Sequence, residues 1–467
     1  MRRFKALTLT LAFFTGSAGF SGAQMLSTNA GPETRQRAVE FLTGLVKIDT
    51  SNPPGHETPA AQYIKSILDR EGIPSLIFES APGRGNLVAR LKGNGSKKPL
   101  LLLGHLDVVG VERDRWTVDP FAAITKDGFL YGRGSHDDKA MDAANLVVFL
   151  KLHHDRIPLD RDVILLAEAG EEGTSQFGID YMVANHWDLL DCEYALNEGG
   201  RFHLEGSKLQ YAGVSSTEKV PRGMLVTARG SSGHGSMPRL DNAIVHLSAA
   251  IAKIGAWQPP MRLNETTREF FIRLAKISPP EKAALFTHLD DPATQQKLRE
   301  TEIFYNSMLR TSIVPTMIKG GFRENVIPAD AEATLDIRAL PDENIDQLVA
   351  TMRQIINDPA VEITPLAGGQ ARPVAPPSSI HNQMFQALER AQEHVFPEAI
   401  TLPLMQTGAT DSAQLRAKGV QAYGIGVPMT DEEIRRIHGN DERISVDALG
   451  QFVEYLWTAV TGVAATH

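Results

Sequence analysis

Histidine and carboxylate side chains follow apolar runs that the sequence predicts to be buried strands. The run Leu100–Leu103 leads into His105 and Asp107, which share one face of an extended chain because side chains alternate along a strand. A second apolar run ends shortly before Glu171 and Glu172. Open α/β sheets bind ligands at the carboxyl ends of their strands, so we expect these side chains to meet at one sheet edge.

Further carboxylates belong to the same set. Glu198 follows a third short apolar run, and Asp137 and Asp138 lie in a glycine-rich turn that opens a predicted helix. Carboxylates gathered at one edge would repel one another unless cations were bound among them. Histidine and carboxylate ligands suit zinc, cobalt or manganese in a catalytic site. The one cysteine, Cys192, excludes both an intrachain disulfide and a cysteine-based zinc site.

The elements that position these side chains form an α/β pattern in two segments. Short apolar runs alternate with helical patterns over residues 24–218 and again over 371–467, which predicts one catalytic domain with a mostly parallel sheet. Between them, residues 219–370 follow the order β-α-β-β-α-β of a ferredoxin-like sandwich. This pattern predicts an inserted α+β lid domain, which carries a helical insertion over about 258–310.

The first 23 residues have the pattern of a secretory signal peptide. Three basic residues precede the apolar run Ala6–Phe14, and small residues lead to Ala23. That run is too short to span a bilayer, and no later segment offers about 18 uninterrupted apolar residues, so no stable membrane span is expected. We predict a secreted protein, most simply in a bacterial periplasm. A retained membrane anchor is the alternative.

The composition excludes several classes of protein. The 467 residues are 42% hydrophobic and 22% charged, which is typical of a soluble globular protein and not of a disordered or fibrous chain. The length suggests two or three domains. The formal charge of −9 argues against nucleic acid or an anionic membrane as the main partner.

The order of the motifs resembles that of a known family, the co-catalytic zinc metallopeptidases. This family includes aminoacylase, glutamate carboxypeptidase, carboxypeptidase S, carnosine dipeptidases and succinyl-diaminopimelate desuccinylase. The matching motifs are Gly-His105-Leu-Asp107, Gly-Arg-Gly-Ser-His-Asp137-Asp138-Lys139, Glu171-Glu172, Asn-Glu198-Gly-Gly and Ile-His438-Gly. The resemblance extends over essentially the whole chain after residue 23, and it implies the catalytic domain with an inserted ferredoxin-like lid.

The resemblance also implies two Zn²⁺ ions per subunit, although Co²⁺ or Mn²⁺ could take their places. His105 and Glu198 would hold one ion, Glu172 and His438 the other, and Asp137 would bridge the two. The peptide bond after Asp137 is expected to be cis, as it is in the family.

The catalytic roles follow from the same resemblance. Asp107 would orient His105. Glu171 would act as general base, taking a proton from a metal-activated water and returning it to the leaving nitrogen. The neighbouring His136 is not expected to be a ligand.

The lid and the second catalytic segment would contribute substrate contacts. His234 is expected to stabilise the oxyanion, often across a homodimer formed through the lid. Asn325 and Arg338 would hold the substrate's carbonyl and carboxylate, although a surface salt bridge remains an alternative for Arg338. Gly408 belongs to a predicted substrate loop, and Arg372 is a second candidate contact for the carboxylate.

These inferences predict a dizinc metallohydrolase that cleaves peptide or N-acyl amide bonds next to a free carboxylate. It would be a carboxypeptidase or an N-acyl-amino-acid amidohydrolase acting on small peptides or N-acyl amino acids. Glutamate at position 198, where other members have aspartate, favours this side of the family over aminopeptidases. An aminopeptidase or dipeptidase of the family is the main alternative. A dinuclear phosphoesterase would need a further basic cluster, and a non-catalytic binding protein would be expected to lack Glu171 or a ligand.

Overall fold

The computed structural model describes residues 30–368 and 372–466. The predicted signal peptide lies outside these residues. The helices are α1 (Pro32–Val46), α2 (Thr58–Arg70), α3 (Lys139–His154), α4 (Ile179–Asn185), α5 (Trp187–Leu190), α6 (Ala243–Ala256), α7 (Glu265–Ile277), α8 (Pro280–Thr287), α9 (Pro292–Thr301), α10 (Ile303–Met308), α11 (Ile345–Ile356), α12 (Gln383–Val395), α13 (Ser412–Ala417), α14 (Asp431–Ile434) and α15 (Val446–Ala464).

The strands include several that the apolar pattern did not predict. They are β1 (Ser51–Asn52), β2 (Ser75–Glu79), β3 (Gly85–Leu91), β4 (Leu100–His105), β5 (Val108–Val109), β6 (Ile124–Lys126), β7 (Phe129–Tyr131), β8 (Val163–Glu168), β9 (Tyr194–Asn197), β10 (Arg201–Glu205), β11 (Lys208–Glu218), β12 (Val220–Arg229), β13 (Gly233–His234), β14 (Ser312–Gly320), β15 (Val326–Ile327), β16 (Asp330–Ala339), β17 (Val361–Pro365), β18 (Ile400–Gln406), β19 (Gln421–Gly424) and β20 (Arg443–Ser445). The hairpin β10–β11 and strand β18 are among the elements that were missed.

The main sheet has the order β10-β11-β19-β9-β4-β8-β3-β2, and β18 pairs with β11. Its centre, β19-β9-β4-β8, is parallel, whereas β2, β3 and β10 pair antiparallel at the two sides. Helices α1, α3, α12 and α15 pack on one face, and α4 and α13 pack on the other. Leu100–Leu103 is completely buried because β4 lies between two strands and two helical layers. The predicted α/β class is confirmed.

A second sheet has the antiparallel order β14-β16-β12-β17. Helices α6 and α11 cover one of its faces, which gives the ferredoxin-like sandwich that the sequence predicted. The side chains of Asn242 and Asn344 accept hydrogen bonds from the first turns of these helices, so each helix begins at the next residue.

The helical insertion comprises α7 to α10, and it packs against the catalytic sheet as well as the lid. Phe270 and Phe271 of α7 share a core with Leu402 and Leu404 of β18 and with Leu340 at the end of the lid's β16. The insertion therefore joins the two domains. No helix in the described part of the chain has both the length and the apolar character needed to cross a bilayer.

Candidate active site

The carboxyl ends of β8, β4 and β9 lie side by side, because these strands are adjacent and parallel. Asp137, in the turn before α3, lies between two histidines. Its Oδ1 is 3.1 Å from Nε2 of His105, and its Oδ2 is 3.0 Å from Nε2 of His438. Nε2 of His438 is also 3.0 Å from Oε1 of Glu172. Segments far apart in sequence thus converge on one carboxylate, and the Asp137–Asp138 peptide bond is cis as expected.

This cluster has the donor set of a metal centre. His105, Asp137 and Glu172 offer ligand atoms that all lie within 4.8 Å of one another. Glu198 borders the same cavity as Asp137. Burial, reinforced by the charges of Asp137 and Glu171, raises the pKa of Glu198 well above its ordinary value. Divalent cations relieve this repulsion, so the residues present fit a metal site.

The two histidines interact with the acidic cluster in different settings. Burial opposes a charge on His105, but hydrogen bonds to Asp107 and Asp137 outweigh burial and raise its pKa well above the ordinary value. Hydrogen bonds to Asp137 and Glu172 raise the pKa of the half-exposed His438 to about 10. His438 has a φ of 60°, in the left-handed region that residues other than glycine seldom adopt.

Asp107 fixes both the first histidine and the loop that carries the two glutamates. Its backbone carbonyl oxygen lies 3.1 Å from Nδ1 of His105, and its carboxylate oxygen lies 3.4 Å from the same atom. The carboxylate accepts hydrogen bonds from the backbone N–H groups of Glu171 (3.0 Å) and Glu172 (3.1 Å), and from the amide of Asn52 (2.8 Å). Asp107 is completely buried, so this network is shielded from water.

The Glu171 carboxylate lies beside the cluster in a buried ion-pair network. Its Oε1 accepts a 2.7 Å hydrogen bond from Nη2 of Arg372, whose Nη1 donates to Asp411. Burial, together with the nearby charge of Asp411, raises the pKa of Glu171 to about 8. The guanidinium of Arg372 therefore contacts two protein carboxylates, whereas the sequence interpretation gave it a substrate carboxylate.

A second buried pair, which sequence reasoning missed, ties the turn of Asp137 to the loop of His438. The Glu442 carboxylate pairs with Nη1 of Arg133 at 2.5 Å and accepts hydrogen bonds from the backbone N–H groups of His136 and Asp137. Nη2 of Arg133 donates to the backbone carbonyl of His438 at 3.2 Å. The arginine of the Gly-Arg-Gly motif was a visible signal for this pair, but nothing in the sequence marked Glu442.

The predicted lid residues His234 and Asn325 lie close to each other, and their hydrogen bonds stay within the lid, away from the carboxylate–histidine cluster. His234 lies on β13, Asn325 immediately precedes β15, and these two strands pair with each other. The Gly235 N–H donates to the Asn325 carbonyl at 2.8 Å. Both residues are exposed. Nδ1 of His234 accepts a 3.1 Å hydrogen bond from the Ser236 N–H, so the ring proton is assigned to Nε2, which is free to donate.

The other two predicted substrate residues lie on opposite sides of the domain junction. Arg338 is at the end of β16 and pairs with Asp336 of the same strand at 3.0 Å. Gly408 is in the loop after β18, where the hydroxyl and N–H of Thr410 donate to the buried Glu218. Neither contact involves the metal-centre candidates.

Residues 101–461 match the family model described as peptidase family M20/M25/M40. The chain belongs to this family. It is 27% identical over 457 residues to human N-fatty-acyl-amino acid synthase/hydrolase, covering 94% of this chain and 90% of the relative. It is 28% identical over 385 residues to a probable carboxypeptidase S-like protein of Dictyostelium discoideum, covering 80% and 73%.

Solved structures agree on the fold of this M20 chain. An M20 family metallo-carboxypeptidase from Sulfolobus solfataricus matches with a TM-score of 0.70 and 19% identity, over 91% of this chain and 98% of that one. The predicted resemblance to metallopeptidases is confirmed, and the chain is a metal-dependent hydrolase.

Proposed function

We propose that the protein is an exported dizinc hydrolase that cleaves peptide or N-acyl amide bonds next to a free carboxylate. The observation that carries the proposal is the Asp137 carboxylate, which has one oxygen against His105 and the other against His438. A bridging ligand between two metal ions requires that arrangement. His105 and Glu198 would hold one ion, and Glu172 and His438 the other.

Glu171 is the general base of the proposed reaction. When bound, a pair of zinc ions polarises the scissile carbonyl and lowers the pKa of an attacking water. Glu171 takes the proton of that water and delivers it to the leaving nitrogen. Its position beside the carboxylate–histidine cluster, where Arg372 holds its carboxylate at 2.7 Å, supports this role, because a general base must lie within reach of the proton that it takes. Asp107 keeps the glutamate in place through the backbone N–H at position 171.

The lid completes the proposed site when it approaches the metal centre. His234 would donate its Nε2–H to the developing oxyanion, and Asn325 would hold the carbonyl group beside it. Arg338, one third exposed, would exchange Asp336 for the substrate carboxylate. Gly408 would line the substrate from the catalytic domain. Two of the relatives are named an N-fatty-acyl-amino acid synthase/hydrolase and a probable carboxypeptidase S-like protein. Both names support amide substrates that carry an amino-acid carboxylate.

A substrate panel tests this function. The zinc-loaded protein is incubated with N-acyl amino acids, dipeptides and their C-terminal amides, and the products are identified by mass spectrometry. Cleavage restricted to compounds with a free carboxylate is expected. Cleavage that ignores the C-terminus but requires a free amine would instead favour the aminopeptidase or dipeptidase alternative. Co²⁺ and Mn²⁺ loading in the same assay identifies the metal that gives the highest turnover.

We also propose a homodimer formed through the lid. Strand β14 is at the edge of the lid sheet, and Val314, Met317 and Ile318 on it and Phe322 beyond it are 50–84% exposed. An apolar edge strand with free backbone groups can pair with its copy about a two-fold axis. Light scattering after size exclusion should give twice the chain mass, and Ile318→Lys should give the single mass. A single mass for the unmodified chain would contradict the dimer.

Export through residues 1–23 is testable on the same chain. Expressed with its full N-terminus in a Gram-negative host, the protein should appear in the periplasmic fraction with a new N-terminus at Gln24. An intact N-terminus in the membrane fraction would support the retained anchor.

A further inference from the structure

A cavity opens directly beside the candidate metal centre, and it has a polar wall as well as an apolar one. The polar wall is formed by His136, Asp137, Asp138, Glu198 and Gln406. The volume of the cavity is about 180 Å³, and two of the proposed metal ligands, Asp137 and Glu198, form part of its wall. The apolar part of the wall is formed by Met141, Ile425, Val427, Met429 and Ile437. These side chains come from α3, from the segment after β19 and from the residue before His438. The cavity is therefore built by the same segments that place the ligands.

The cavity lies where it would receive part of a substrate. A carbonyl group positioned at Asp137 and Glu198 would have its attached groups within reach of the apolar wall. Three glycines, at positions 199, 200 and 426, also border the space. A Cβ at Gly200 would lie 2.5 Å from the Ile425 backbone, so glycine there allows the segment after β9 to pack against the segment that carries the apolar wall. Such a combination of an apolar pocket and a few converging polar groups is typical of small-molecule sites.

The size of the cavity limits how much hydrocarbon it can enclose. A dry cavity of about 150 Å³ accommodates a benzene molecule. A cavity of about 180 Å³ thus has room for a phenyl ring or a branched or linear chain of about six carbons, and the carbons of a longer chain would extend beyond it.

We infer that this cavity is a specificity pocket for a compact apolar group of the substrate adjacent to the scissile bond. The inference rests on the proposed amide hydrolysis and adds the chemical class of its substrate. The group could be the acyl chain of an N-acyl amino acid or the side chain of an apolar residue, because both place hydrocarbon next to the scissile amide.

Binding of alkyl hydroxamates to the zinc-loaded protein tests the pocket without requiring turnover. Calorimetry compares acetyl, butanoyl, hexanoyl, octanoyl and dodecanoyl hydroxamates. The Kd is expected to fall about fourfold per methylene up to hexanoyl, and to change less than twofold from octanoyl to dodecanoyl. Equal affinity along the series, or a continued gain to dodecanoyl, would overturn the inference.

Two substitutions change the pocket in opposite directions. Val427→Phe should fill the pocket and remove most of the increase in hydroxamate affinity from acetyl to hexanoyl. Ile437→Ala should enlarge the pocket, so that the affinity keeps increasing beyond hexanoyl. Ile303→Ala, at a 75% exposed position on the insertion, is the matched control and should leave the series unchanged. Zinc content and the thermal midpoint verify that each variant is folded. Unchanged series in both pocket variants would overturn the inference.

Hydrolysis assays then distinguish the two sources of the apolar group. If N-hexanoyl-glycine is preferred over N-acetyl-glycine, the pocket binds the acyl chain. If N-acetyl-leucine is preferred over N-acetyl-glycine, the pocket binds the amino-acid side chain. If no amide is cleaved although the hydroxamate series behaves as expected, the proposed function fails while the pocket stands.

Discussion

In the catalytic domain, four of the five side chains proposed to bind metal contact one another directly, whereas those proposed in the lid contact only their own neighbours. Asp137 lies within 3.1 Å of two histidines that are about 330 residues apart in sequence. His234 and Asn325, by contrast, share a short exposed ribbon. Strand ends in a buried parallel sheet hold their positions rigidly, so the metal half is preorganised. In the proposed mechanism, the lid half completes the site either by moving or by being supplied by a second chain.

Substitution of Glu171 is expected to cause the largest loss of turnover. Glu171→Gln removes the proton acceptor but retains the shape of the side chain, so kcat should fall by about 10²- to 10⁴-fold. Bound zinc, measured by mass spectrometry of the metal, should remain at two ions per chain. The adjacent Glu172→Gln is the matched control, and it should lose metal together with activity. A Glu171→Gln variant that keeps more than a tenth of the activity would contradict the assigned base.

His234 tests whether the lid takes part in the chemistry. If its Nε2–H donates to the oxyanion, His234→Ala should lower kcat by about 10²- to 10³-fold with unchanged zinc content. His381→Ala, which also removes an exposed histidine, should have no effect on turnover.

Ile318→Lys separates the two ways of completing the site. Loss of activity together with the dimer means that His234 acts across the interface, and retained activity in a monomer means closure within one chain.

Arg372 distinguishes a positioning role from substrate binding. The guanidinium of Arg372 lies between Glu171 and Asp411. Arg372→Met should therefore leave Glu171 misplaced and lower kcat by roughly 10- to 100-fold, with little change in KM. Arg372→Lys keeps the charge and should recover part of the loss. A raised KM and lost selectivity for free carboxylates would instead support the sequence interpretation of a substrate contact.

The parts that sequence alone could predict share a physical basis. The β4 run has no polar face, which marks a central strand, and parallel strand ends are where ligands bind, so His105 and Asp107 could be placed from pattern alone. The β-α-β-β-α-β order of the lid was visible because its helices directly follow Asn242 and Asn344, both effective N-caps.

Other features depend on contacts that no local pattern carries. Glu442 supports the turn of Asp137 across about 300 residues, and its own sequence neighbourhood gives no sign of that partner. The partners of Arg372 are fixed only when the segment returning from the lid packs against the catalytic domain. Strand β18 was missed because its neighbour, β11, belongs to an edge hairpin whose apolar pattern is weak. Tertiary packing determines all three.

The smallest predicted effect is on folding stability, and it concerns Lys219. This residue precedes the first lid strand, at the junction of the two regions. Its Nζ donates to the hydroxyls of Ser307 on the insertion (3.1 Å) and Ser312 in the lid (3.0 Å). Burial, reinforced by the charges of Arg338 and Arg310, lowers the pKa of Lys219 to about 7. The junction thus holds a lysine that is easily deprotonated.

This lowered pKa gives the folding stability a defined pH dependence. An unfolded chain keeps its lysines protonated up to about pH 10.4, so between about pH 7 and 10 the unfolded state binds more protons than the folded state. Above that window, Lys219 is neutral in both states and does not lower the free energy of unfolding. As the pH falls towards 7, the free energy of unfolding decreases, because the unfolded state binds a proton that the folded state does not. Lys219→Met removes this pH dependence, so the variant's stability relative to the unmodified chain should be higher at pH 7 than at pH 10 by at least about 1.4 kcal/mol, the equivalent of one pKa unit. Urea unfolding of the zinc-loaded proteins at both pH values measures the difference, with the exposed Lys297→Met as control. Equal differences at the two pH values would mean that Lys219 stays charged in the folded protein, and the junction would then have to supply a carboxylate partner such as Asp336.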